Sequence, residues 1–194
     1  MRKLLGLVLA LVMLVMAVPA FAEAEADVSL ANWAGRWNNF ASYFENEGVQ
    51  EAYAKKAETD EEGKTAEEIK DNYINGETYK CDIPAMVIEG DEIAFYDASL
   101  TDDAEPTAKA AYAFMGMVKD ANDREFAHFE AVGDAPYKAF LLLPAEADIP
   151  GETMMHFHFR YGDDAESLLA KDGWYATMTA ADSTDALIVG HMTH

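Results

Sequence analysis

Hydrophobic positions change their period partway along the chain, near Lys80. Before that point Trp33, Trp37, Phe40 and Phe44 recur at spacings of four, three and four, which predicts one apolar face of a helix or of a pair of helical turns. An aromatic set at that spacing reads as core and not as a ligand box. Val49, Ala52 and Tyr53 continue the helical pattern over 49–56, and the acidic loop 59–63 interrupts it. Thr65 followed three residues later by Glu68 forms a capping box, opening a short helix whose Ile69 and Tyr73 face the core and which Asn75-Gly76 closes.

From Lys80 onward the period is two. Runs at 81–88 and 92–96 flank Glu89-Gly90-Asp91, a hairpin signal. Further strands are expected at 110–118, 125–131, 137–143 and 153–161, separated by turns bearing Asp, Asn and Gly. The segment 104–111 fits helix or strand equally well by pattern. Short helices are expected at 165–171 and 180–189, the second with Asp182 and Asp185 near its start. Helices leading into a meander of strands imply a mainly β, α+β chain or a small closed barrel with helical attachments.

The beginning of the chain does not belong to this fold. Met1-Arg2-Lys3, an apolar run over 4–18 and the small-x-small ending Pro19-Ala20-Phe21-Ala22 form a signal peptide, residues 1–22, with cleavage expected after Ala22. The run is short for a membrane span and acidic residues follow at once, so no membrane association is expected after cleavage. Residues 23–29 form a flexible lead and 30–194 a single domain of a size that can bury a real core. Beyond Ala22 the chain has 12 basic and 36 acidic residues, a charge of −24. That balance repels nucleic acid and anionic lipid and attracts cations, and it also serves simply to keep an exported protein soluble. Cys81 is the single cysteine, so no disulfide forms within the chain, and its simplest role is that of a small buried hydrophobe.

Candidate chemistry centres on Met154-Met155-His156-Phe157-His158-Phe159-Arg160. On a strand, His156 and His158 stand on one face about 7 Å apart by strand rise, and two imidazoles so placed can converge on a metal ion. The same alternation also suits the polar face of any half-buried strand, so the pair alone leaves both readings open. A zinc site needs further ligands. Among the chain's other histidines the candidates rank as His194, then His128 on the strand 125–131, and His191. The acidic pairs and runs Asp60-Glu61-Glu62 and Asp102-Asp103 read as solvated loops. No Gly-x-Ser-x-Gly, phosphate loop, His-Glu-x-x-His or calcium loop occurs in the sequence.

Three stretches together resemble one family. Leu30-Ala31-Asn32-Trp33-Ala34-Gly35-Arg36-Trp37, the segment Lys64-Thr65-Ala66-Glu67-Glu68-Ile69-Lys70-Asp71-Asn72-Tyr73, and His156-Phe157-His158 with the Gly162-Asp163-Asp164 turn and Ser167-Leu168-Leu169 are similar in order and spacing to the ZinT (YodA) family. The ending His191-Met192-Thr193-His194 resembles that family's too. The resemblance implies an exported, periplasmic or extracellular zinc-binding protein with a lipocalin-like calycin barrel, N-terminal helices and short C-terminal helices. It implies Zn²⁺ as the ligand, with other divalent transition metals such as Cd²⁺ as alternatives, and the solute-binding component of a zinc ABC importer as partner.

The departures from the family pattern concern the site. The family places a third histidine shortly before His-x-His, and none lies between Phe140 and Met155 here. The matching position falls at Pro144, Glu146 or Ala147, and the spacing before Pro150 favours Glu146; Glu146 and Asp148 both carry a zinc-competent carboxylate. The disulfide of many members is also impossible in this chain. The expected function is therefore capture or buffering of Zn²⁺ by a monomer through His156, His158 and His194 or Glu146, weakening as pH falls through about 6.5. The alternatives are a carrier of a small apolar ligand in the barrel, and a zinc hydrolase, for which no general base is evident.

Overall fold

A computed structural model describes residues 28–144, 146–147 and 155–192. Two 3₁₀ turns, Leu30–Trp33 and Phe40–Tyr43, bracket strand β1 (Gly35–Asn39). Helices α1 (Glu47–Thr59) and α2 (Ala66–Asn75) follow, then β2 (Ala85–Glu89), β3 (Glu92–Tyr96), β4 (Ala108–Lys119), β5 (Glu125–Ala131), β6 (Ala139–Leu142), β7 (Glu146–Ala147) and β8 (Met155–Gly162). Helix α3 (Ala165–Leu169), β9 (Ala176–Ala180) and α4 (Asp185–Met192) complete the described chain.

The strands pair antiparallel in the order β6-β5-β4-β3-β2-β1-β9-β8, and β6 also pairs with β8, so eight strands close a barrel and β7 continues beyond β6 along the same edge of β8. This is the lipocalin-like α+β architecture expected above. Closure removes most exposed strand edges. The β2–β3 hairpin turns through Gly90 and Asp91, with Glu89 opposite Glu92 and Gly90 at φ 62°, a conformation that favours glycine. The segment 104–111, equivocal by pattern, leads into β4 as strand from Ala108. The capping box holds as read: Thr65 accepts from the Glu68 N–H, and the Glu68 carboxylate accepts from the Thr65 N–H and hydroxyl.

The first correction concerns Trp33, Trp37, Phe40 and Phe44, which do not share one helix. Strand β1 separates the two 3₁₀ turns. At Gly35, φ is 155° and the Trp37 indole lies 3.2 Å from where a Cβ would stand; the Trp37 Nε1–H donates to the Trp33 carbonyl at 2.9 Å. Trp33 and Trp37 enter the barrel interior, whereas Phe40 and Phe44 join a separate outer cluster with Val49, Tyr53, Ile69, Ile188 and Met192. Spacings of four and three arise here from tight turns on either side of a strand, which mimic a helical stripe.

The second correction concerns the end of the chain. Residues expected to start a helix at 180 are instead the end of β9, and α4 begins at Asp185. Strand β9 escapes pattern reading because both of its faces are buried: Ala176 and Met178 face the barrel core, and Thr177 and Thr179 are buried on the other side. Asp185 ties α4 to the start of α1, accepting from Asn46 Nδ2 at 2.7 Å and from the Gly48 N–H at 3.3 Å.

The barrel interior is filled by side chains. Phe140 stacks on Phe95, Phe159 and Tyr161, Trp37 packs edge-on to Phe157 at 4.8 Å, and Trp33 packs edge-on to Phe129 at 5.7 Å. Helices α1, α2 and α4 cover one side of the wall from outside, and α3 covers another through Leu168, Phe126 and Leu141. Among the described residues no helix is long and apolar enough to cross a membrane.

Candidate metal centre

Strand β8 turns Phe157 and Phe159 into the barrel core and so turns His156, His158 and Arg160 outward. Outward does not mean exposed. His156 is 6% exposed, Arg160 is fully buried and His158 is half-buried. The two imidazole rings lie 5.1 Å apart between centroids, at 75° to each other. Two imidazoles bound to one tetrahedral zinc through nitrogens at about 2.0–2.1 Å would have ring centroids about 5 Å apart, so the observed spacing fits the ion.

Strand β9 supplies the floor beside them. Register sets Thr177 opposite His158 and Thr179 opposite His156. Thr177 Oγ1 lies 2.8 Å from His158 Nδ1 and donates to the Tyr175 carbonyl at 3.1 Å. Thr179 Oγ1 contacts Ser183 Oγ at 3.0 Å. Aromatic rings flank His158: Tyr79 at 6.4 Å and Tyr175 at 6.3 Å, with Tyr79 stacked on Tyr73 of α2 at 5.7 Å. The Tyr73 hydroxyl and Lys56 Nζ donate to the carbonyl of Met192, the last described residue of α4.

Below His158, the Arg160 guanidinium forms an ion pair with Asp120 at 3.0 Å and donates to the Trp174, Leu168 and Leu169 carbonyls. Its charge also lies 4.8 Å over the Phe126 ring and 5.1 Å over the Tyr175 ring. Burial pushes the Asp120 carboxyl up, but N–H donors from Arg124 and Asn122 and the Arg160 guanidinium outweigh it and hold the group below the usual carboxylate range.

The other candidates separate. His128 sits on β5 opposite Leu141 of β6, which in turn stands opposite Arg160, so its row crosses β8 below the histidine pair with a strand between. It is 9% exposed, its Nε2 is 3.5 Å from Glu130 Oε1 without a hydrogen bond, and burial lowers its pKa against the opposing pull of Glu130. Glu146 pairs with His156 across β7–β8, and His191 lies in the last turn of α4. His194 and Asp148 lie outside the described residues. Among the described residues no group of three or more His, Cys, Asp or Glu side chains comes together. Burial pushes the Cys81 thiol up to about 12, so in the metal-free chain it is a neutral thiol packed against the barrel core. Asp60 caps its own turn by accepting from the Lys64 N–H, as a solvated loop does.

Pattern reading missed Thr177, Tyr175 and Tyr79. The alternation Thr177-Met178-Thr179 was the available signal, but it is short and lacks an exposed face. Tyr79 lies in the turn between α2 and β2 and has no periodic context at all.

The family described as ZinT (YodA) periplasmic lipocalin-like zinc-recruitment matches residues 17–194. A relative in Bacillus subtilis (strain 168), named as the probable metal-binding protein YrpE, is 30% identical over 149 residues. The match covers 74% of this chain and 55% of the relative, so the chain spans about half of that relative's length. In fold, the chain is similar to the Zn(II)-bound ZinT-like domain of Streptococcus pneumoniae AdcA, with a TM-score of 0.57 at 20% identity over 87% of this chain and 91% of that domain. It is likewise similar to the longer Zn(II)-bound AdcA, with a TM-score of 0.57 at 19% identity, covering 84% of this chain and 35% of that one. With its family profile matched from residue 17 to the last residue, and with the closed barrel that the sequence resemblance implied, this chain belongs to the ZinT (YodA) family.

Proposed function

We propose that this protein binds Zn²⁺ outside the cytoplasm through His156 and His158, and buffers it or passes it to the solute-binding component of a zinc importer. The observation that carries this reading is the pair of same-face imidazoles, one buried and one half-buried, 5.1 Å apart between ring centroids. The zinc-recruitment description of the family supports it, as do the Zn(II)-bound proteins that share the fold. The importer link draws support from the occurrence of a similar barrel as 35% of a longer zinc-bound protein.

Two residues are proposed to complete the site. Glu146 is supported by register, since its backbone stands directly opposite His156 in the β7–β8 ladder. His194 is supported by the anchoring of α4: the Met192 carbonyl is held by Tyr73, whose ring stacks on Tyr79 beside His158, and His194 follows two residues later. Carriage of an apolar molecule inside the barrel is disfavoured by the aromatic residues that fill it.

Equilibrium dialysis tests the assignment. Wild-type protein is expected to bind one Zn²⁺, with Cd²⁺ competing, and a His156→Ala, His158→Ala double variant to lose that binding; an unchanged affinity overturns it. Glu146→Ala and His194→Ala, measured the same way, rank the remaining ligands. Intact mass of the exported protein tests cleavage after Ala22, and light scattering in solution tests the monomer.

A further inference from the structure

Thr177 is 1% exposed and carries one hydroxyl proton to serve two contacts: the Tyr175 carbonyl oxygen at 3.1 Å and His158 Nδ1 at 2.8 Å. A carbonyl only accepts. If Thr177 donated to Nδ1, the contact with the Tyr175 carbonyl would hold no proton. Both contacts are satisfied together in one arrangement: Thr177 donates to the carbonyl and accepts from a protonated Nδ1. A neutral imidazole has a single N–H, so Nε2 then carries the lone pair.

We infer that Thr177 is a positioning residue that fixes His158 in its Nδ1–H tautomer and dedicates Nε2 to the metal. Its use in metal binding rests on the zinc reading above, whereas the tautomer is a property of the metal-free protein. The neighbours fit this role. Thr177 lies opposite His158 in the β8–β9 ladder, so the hydrogen bond joins directly opposed positions of the two strands. Tyr79 and Tyr175 bound the ring from other directions, which limits its rotation. A hydrogen bond from the far nitrogen also raises the basicity of the ligating one, and loss of such partners typically weakens metal binding about 10–100-fold.

The decisive measurement needs no metal. In ¹⁵N-histidine-labelled, chelator-treated protein above the imidazole pKa, long-range ¹H–¹⁵N correlation is expected to show His158 with a protonated Nδ1 and an unprotonated Nε2. A proton on Nε2 overturns the inference. Thr177→Val removes the acceptor while keeping the branched shape, and should release His158 to a mixture of tautomers and weaken zinc about 10–100-fold. Thr177→Ser keeps the hydroxyl and should restore both. A Thr177→Val protein with the wild-type tautomer and affinity overturns the inference. If the double histidine variant binds zinc as wild type does, the zinc reading and the metal role of Thr177 fall together, and the nitrogen shifts still decide the tautomer on their own.

Discussion

Strand β8 carries its two faces into different environments. Inward, Phe157, Phe159 and Tyr161 enter an aromatic interior in which Phe140 stacks against several neighbours. Outward, His156, His158 and Arg160 enter a layer that is also buried but polar, roofed by helices and bordered by Thr177 and Thr179. The inner face is stabilised by area removed from water and by shape, and needs no particular partner atom. The outer face is tolerable only because its polar groups meet donors, acceptors or an opposite charge, since a buried unpaired group costs several kcal/mol. The same strand therefore supplies rigidity on one side and addressable chemistry on the other.

Breaking the inner face should have the largest effect. Phe157→Ala removes the edge-on contact with Trp37 and opens a cavity in a closed barrel. A loss of about 4 kcal/mol in urea unfolding is expected. A loss under about 1 kcal/mol would mean that the barrel interior does not bear the stability assigned to it.

The outer face breaks at its charge pair. Asp120→Ala strands a guanidinium with no exposed surface, at a cost of about 3 kcal/mol, the low end for a broken buried pair because three carbonyls remain as acceptors. Titration adds a signed test. Asp120 has its pKa lowered in the folded state, so its stabilisation is present above the unfolded value of about 3.9 and is lost as pH falls from there through the folded value. Unfolding midpoints measured from pH 6 downward should therefore drop more steeply for wild type than for Asp120→Asn.

Zinc should separate the faces. At 100 times its Kd, the ion should raise wild-type stability by about 2.7 kcal/mol. It should raise that of Phe157→Ala by a similar amount and that of the double histidine variant not at all, as read by thermal unfolding with and without chelator. The smallest effect belongs to the roof: Thr65→Ala removes the α2 cap at a cost of about 1 kcal/mol and should leave zinc affinity unchanged. A large loss of affinity in that variant would show that α2, through Tyr73 and Tyr79, tunes the site.

Much of this was legible in the residues. The capping box, the 89–91 hairpin, the strand at 125–131 and the placement of both histidines on one face follow from local spacing, because a turn or a two-residue repeat is decided by neighbours in the chain. Strands β1 and β9 were not legible. The aromatic spacing over β1 imitates a helix, and β9 has no solvent face to mark its alternation. These two strands pair with each other and complete the ring, so missing them also hid the threonines beside the metal pair.

By itself the sequence determined the period-two strands, the helix signals, the acidic balance and the pairing of His156 with His158, all of which depend on residues within a few positions of one another or on composition alone. Tertiary structure decided that this pair faces outward beneath helices, that Trp33 and Trp37 part from Phe40 and Phe44, and that Thr177 meets His158 from another strand. Those outcomes depend on how the barrel closes. Closure matches faces and registers between segments far apart in the chain, and no local spacing encodes which of two buried faces becomes the interior.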